Sequence, residues 1–160
     1  DISKWNVSNV TNMEHMFYRT SFNGDISRWN PSSVTNMNTM FADTPFNGDI
    51  SGWNVSSVTN MGWMFSSSRF NGDVSSVTNM AHMFYYSKFS GNISGWDVSS
   101  VTDMDGMFWC SKTFNGDISG WNLSSVTTAI KMLQECPLDE CTILQDHRPP
   151  FSKYRDIRHF

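Results

Sequence analysis

The chain has 160 residues and a net charge of −4, with 39% of residues hydrophobic and only 16% charged. Eleven Met, seven Trp and twelve Phe are too heavy an apolar load for a disordered chain, and the acidic balance lacks the basic face of a nucleic-acid binder. No apolar run approaches the roughly 18 residues that a membrane-spanning helix requires, and three Cys are too few for a disulfide scaffold.

Read from its first residue, the sequence repeats. Trp5, Trp29 and Trp53 are 24 residues apart, as are Met13, Met37 and Met61. Phe22, Phe46, Phe70, Phe89 and Phe114 each open a new unit, and the residues before Phe22 make a first, partial one. Each unit closes on M-x-x-M-F: Met13/Met16/Phe17, Met37/Met40/Phe41, Met61/Met64/Phe65, Met80/Met83/Phe84 and Met104/Met107/Phe108, with a decayed sixth copy at Ala129/Met132/Leu133. All eleven Met therefore fall in two columns. Such a period marks a repeat array in which each unit buries its apolar face against its neighbours.

Within a unit, I-S-x-W-N-V alternates, which predicts an extended strand with Ile26, Arg28 and Asn30 on one side and Ser27 and Trp29 on the other. In V-T-N-M-x-x-M-F, Val10, Met13 and Phe17 fall at helical spacing, with Met16 beside them. This predicts a short helical turn capped by Ser8 or Thr11. The Asn-Gly-Asp tripeptide supplies a turn in which Gly takes positive φ. The predicted fold is an α/β repeat: a right-handed, leucine-rich-repeat-like solenoid of about six 24-residue coils, with a parallel sheet on one face and short helical turns on the other. It occupies residues 1–133, and residues 134–160 form a C-terminal cap or an extended arm.

Two units depart from the period. The fourth, opening at Phe70, lacks five residues including its Trp, and the fifth carries one extra. The loss should leave the Met80/Met83 column in register, interrupt the Trp column between Trp53 and Trp96, and open a concavity beside Trp63, Tyr85 and Tyr86. In the tail, nine of the last 27 residues are charged. Cys136 and Cys141 can bond locally there, and Arg148-Pro149-Pro150 favours extended backbone.

Repeats such as FNGDISGWNVSSVTNMGWMF, residues 46–65, resemble those of the bacterial-surface-protein repeat family, the BspA-like leucine-rich-repeat surface proteins. The resemblance covers residues 1–133. It implies a secreted or cell-surface interaction module without a general enzymatic activity, and it names no ligand. The opening at Asp1-Ile2, in the middle of a unit, predicts a processed or truncated chain, so an organelle destination is also open.

The polar columns read as structural. Asp25, Asp49, Asp73 and Asp117, with Asn92 in the gap, should accept backbone N–H bonds rather than hold Ca²⁺. Asn6, Asn30, Asn54, Asp97 and Asn122, and likewise Asn12, Asn36, Asn60, Asn79 and Asp103, should form buried amide ladders. The row Thr11, Thr35, Thr59, Thr78, Thr102 and Thr127 reads as helix caps, with ice binding the sharper alternative.

No nucleophile–base pair, phosphate loop or metal-ligand set is present, so neither a catalytic residue nor a cofactor is assigned. Individuality lies in the variable slots. His15, Tyr18, Trp63, His82, Tyr85, Tyr86 and Trp109 should face outward as a partner surface, joined by Tyr154, Arg155 and Phe160 in the tail. The expected role is a non-enzymatic protein-recognition module. The alternative is an accessory or scaffold subunit of a larger assembly, membrane-associated or not, engaged through the open first coil or the tail. Glycan or ice binding is a third class.

Overall fold

A computed structural model describes residues 1–72 and 78–137. The repeat units stack in sequence order, but the expected strands and helical turns are absent among these residues. No helix and no sheet forms. Parallel pairing is confined to isolated bridges joining Asn12 to Asn36, Asn36 to Asn60, Asn79 to Asp103 and Asp103 to Thr128. The α/β, leucine-rich-repeat-like solenoid is thus overturned, and each unit is instead built from hydrogen-bonded turns.

The stretch expected to be helical shows why. Alternate N–H groups leave the unit altogether. Met13, His15, Phe17 and Arg19 donate to the carbonyls of Asn36, Asn38, Met40 and Ala42 in the next unit, at 2.9–3.1 Å. The same rail joins Met37, Thr39, Phe41 and Asp43 to Asn60, Gly62, Met64 and Ser66. Within the unit, Met16, Tyr18 and Thr20 donate three residues back, to Met13, His15 and Phe17. Two residues per unit take positive φ, beginning with His15 (57°) and Arg19 (54°) and ending with Lys131 and Glu135 (both 57°). A left-handed residue turns the next peptide away from the helical path, so the i−4 bond is never made. The overlapping turns still bring the first Met, the second Met and the Phe to one side. Helical spacing therefore survives without a helix.

The limb expected to be a strand is two successive turns. Trp29 N–H donates to the Ile26 carbonyl and Val34 N–H to the Pro31 carbonyl. A turn brings its first and fourth residues together, so Ile26 and Trp29 are both buried rather than on opposite faces. Short polar side chains hold these turns. The Asp25 carboxylate accepts the Ser27 N–H at 3.0 Å and its hydroxyl at 2.7 Å, Asp49 does the same for Ser51, and Asp117 accepts the Ser119 N–H. Such bonds compete with strand ladders. The Asn columns serve likewise. Asn6, Asn54, Asp97 and Asn122 accept the N–H two residues on, and Asn36, Asn60 and Asn79 repeat this bond. The first of these columns is exposed, which replaces the expected buried ladder. Nor are the Thr residues helix caps. The hydroxyls of Thr35, Thr59, Thr78, Thr102 and Thr127 donate to the carbonyl of the Thr one unit back.

Between the limbs runs the core. Phe41, Phe65, Phe84 and Phe108 are wholly buried and form one column, with ring centroids 5.7, 5.8 and 5.5 Å apart. Each packs on the Phe that opens the next unit: Phe41, Phe65 and Phe108 stack on Phe46, Phe70 and Phe114 at 4.1, 3.9 and 3.6 Å, and Phe84 meets Phe89 tilted at 4.2 Å. Fully burying one such ring, or one of the Met side chains beside it, is worth about 1.5–3 kcal/mol, so the Phe and Met columns together carry the cohesion of the array. Here, too, lies the reason for Gly in Asn-Gly-Asp. Positive φ is not the cause; a Cβ on Gly48 would stand 2.8 Å from the Phe46 ring.

Candidate functional site: an aromatic ridge and the groove beside it

The side chains at and next to the positive-φ positions form the outer surface of the turn rail. In chain order, the first slot of each unit holds His15, Thr39, Trp63, His82, Gly106 and Lys131. His82 lies flat on Trp63, with centroids 4.1 Å apart and 4° between planes. It can do so because unit five supplies Gly106, where a Cβ would stand 2.6 Å from the imidazole. Burial pushes the His82 pKa below its ordinary value, against the opposing pull of the Asp105 and Asp103 carboxylates.

Tyr85 meets Trp63 edge-on at 5.3 Å and Trp109 edge-on at 5.3 Å, and Tyr86 follows at 5.9 Å from Tyr85. Edge-to-face pairs of this kind are favourable beyond the area they bury. The Lys131 ammonium sits 4.4 Å above the Trp109 ring. Trp63, His82, Tyr85, Tyr86 and Trp109 are thereby gathered into one ridge across units three to five, extended by Lys131 in the sixth. Trp63 and Tyr86 are its exposed members, at 38% and 62%.

His15 and Tyr18 are not part of the ridge. They pair with each other at 5.5 Å in unit one, where the Arg19 guanidinium lies 5.1 Å over Tyr18. Between them and the ridge, unit two presents the small Thr39 and Ala42. The result is an open groove of about 510 Å³, walled by His15 and Tyr18 on one side and Trp63 and Tyr85 on the other. Asn38, Asp43, Ser66 and Ser67 complete its lining. The concavity beside Trp63 and Tyr85 thus lies over unit two, where side chains are short, while Trp63 and His82 close tightly on each other at unit four.

Tyr154, Arg155 and Phe160, with the Pro149-Pro150 segment and Cys141, lie outside the described residues. Cys110 hydrogen-bonds Glu135 at 3.4 Å, and burial raises its thiol pKa. Among the described residues no group of three His, Cys, Asp or Glu gathers to hold a metal. Sequence reasoning missed Lys131 and Gly106, and it tied the concavity beside Trp63 and Tyr85 to the shortened unit four rather than to the short side chains of unit two. Gly106 was within reach, being the one Gly in the slot that carries His or Trp in other units.

Stacked turn units with a continuous Phe–Met core and a variable outer rail define a repeat protein. Its family is the one described as "Mycoplasma protein of unknown function, DUF285": the chain belongs to it, with matches over residues 1–76 and 71–140 that meet in the shortened fourth unit. This corrects the assignment to the BspA-like leucine-rich-repeat surface proteins, since the matching family is not a leucine-rich-repeat family. No curated protein and no solved structure matches the chain.

Proposed function

We propose that the chain is a non-enzymatic recognition module that engages a protein partner through the aromatic ridge. The observation that carries this reading is the ridge itself: Trp63 and Tyr86 stand exposed on a backbone whose rail bonds and Phe core repeat from unit to unit. Exposed aromatics gathered on one face, rather than scattered, favour an interface, and Trp and Tyr are enriched among residues that dominate binding energy. The frame holds them at low entropic cost, because the stack of Trp63 on His82 and the edge-on and tilted contacts with Tyr85 already restrict their rotamers.

The test is capture of a partner on the immobilised full chain, compared with Trp63→Ala and Tyr86→Ala. The expected result is a loss of affinity of about tenfold or more for each. If both variants retain full affinity while deletion of 147–160 abolishes it, the interface is the tail and the reading fails.

A further inference from the structure

The groove over unit two differs in chemistry from the ridge. Trp63 spends one ring face on His82 and lines the groove on the side of unit two. Around it stand neutral hydrogen-bonding groups with capacity to spare. The Ser66 and Ser67 hydroxyls and the Asn38 amide nitrogen donate to no other described residue, and the Asn38 carbonyl oxygen accepts only from Thr39, at 2.7 Å. The one carboxylate in the lining, Asp43, is already bonded to Arg19 at 3.3 Å. No uncompensated charge therefore selects an ionic ligand.

A ligand that fits must be neutral, dense in hydroxyls, and apolar on one flat face. A pyranose has those properties. Its axial C–H groups carry partial positive charge toward the negative face of an aromatic ring, and its hydroxyls both donate and accept, as Ser and Asn side chains do. The volume, about 510 Å³, falls within the range of small-molecule sites.

We propose that this groove is a saccharide-binding site, taking one face of a neutral pyranose against Trp63 while Asn38, Ser66 and Ser67 bond its hydroxyls. The proposal rests on the recognition reading and adds a second ligand class to the same outer surface. Thr39 and Ala42 are its size-determining residues, since larger side chains in unit two would fill the space.

The experiment follows the Trp63 indole N–H resonance of the full chain during titration with maltose, cellobiose, lactose and N,N′-diacetylchitobiose. Saturation transfer to the sugar C–H protons is recorded in parallel. At least one sugar should shift Trp63 saturably and receive transfer on one ring face. Thr39→Trp should abolish both signals with the far-ultraviolet spectrum unchanged, and Ser67→Lys, which fills the groove from unit three, serves if Thr39→Trp does not fold. Tyr86→Ala should weaken partner capture and leave the sugar signals intact, which separates the groove from the ridge. Absence of response to all four sugars overturns the assignment, as does a response equal in both filled variants. A response to N-acetylarginine amide with none to the sugars also overturns it, and makes the groove a cation cage.

Discussion

The fourth unit tests the two limbs of the repeat against each other, because its missing residues come from one limb only. The turn rail crosses it unbroken. Met61, Trp63, Phe65 and Ser67 donate to Asn79, Ala81, Met83 and Tyr85 at 2.8–3.1 Å, and the Phe65–Phe84 spacing of 5.8 Å matches that of the full-length units. The Trp limb does not cross. Trp5, Trp29 and Trp53 stack in one run and Trp96 and Trp121 in another, with no ring pair between them among the described residues. Trp29, Trp53 and Trp121 donate their indole N–H to the carbonyls of Ile2, Ile26 and Ile93, whereas that of Trp96 finds no partner among the described residues. The rail and its Phe column are the spine. The Trp limb is a series of braces, one of which can be omitted.

Phe65→Ala breaks the spine and should have the largest effect. Its ring is wholly buried against Phe41, Phe70 and Phe84, and Phe→Ala at such a site costs about 3–5 kcal/mol. Because units depend on neighbours for burial, urea unfolding should lose the signal of units two to four together. A cost below about 0.5 kcal/mol would mean that the Phe column is not the spine.

Trp53→Phe and Trp96→Phe sharpen the contrast at the next scale. Both indoles are 6% exposed, so the lost apolar contact is similar. Trp53 gives up a hydrogen bond to the Ile26 carbonyl, at 3.1 Å, whereas the Trp96 indole N–H has no partner among the described residues. Trp53→Phe should therefore cost about 1 kcal/mol more than Trp96→Phe. Equal midpoints in denaturant would show that the indole bond contributes nothing net.

How much of this was legible follows from which residues carry the information. The unit boundaries, the two Met columns and the buried face were readable, because burial in a repeat recurs at the period whatever the backbone does. The backbone itself was not. Met13, Met16 and Phe17 have the same spacing in a helix and in overlapping turns, and the deciding feature, positive φ at His15 and Arg19, has no residue signature when His, Arg, Thr, Trp and Lys all occupy such positions. The strand assignment failed at Asp25 and Ser27, where an aspartate two residues before a serine was a turn signal recurring in most units. The ridge residues occupy variable slots, which the repeat columns set apart. A concavity beside Trp63 and Tyr85 was expected from the shortened fourth unit, but it is made by what unit two lacks.

Thr39 tests the cost of the rail itself. At φ 60° it is a β-branched residue in the left-handed region, where non-glycine residues are strained by about 1–2 kcal/mol and Asn is better tolerated. Thr39→Asn should raise stability by about 0.5–1 kcal/mol, whereas the same exchange at Thr35, which is not among the positive-φ positions, should not. A loss of stability at Thr39 would show that its hydroxyl bond to Asn38 outweighs the relief of strain.

The smallest effect is expected from pH, and it separates the ridge from the turns. Burial lowers the His82 pKa below 6.5, so between the folded value and 6.5 the unfolded chain binds the proton that the folded chain refuses. Stability from this group is thus complete above the unfolded pKa and falls as pH drops through that window. Asp25, Asp49 and Asp97 have pKa values below the ordinary 3.8, through their bonds to Ser27, Ser51 and Ser99, and their contribution is lost only at lower pH, as the folded carboxylates protonate. Two separate declines should appear in a titration of the melting temperature, the shallow upper one removed by His82→Gln and the lower one unaffected. Protonated His82 can still lie on the Trp63 face as a cation over a ring, which makes the upper decline the shallower of the two. If His82→Gln leaves the upper decline in place, the imidazole is not the group that senses it, and the stack with Trp63 is indifferent to its charge.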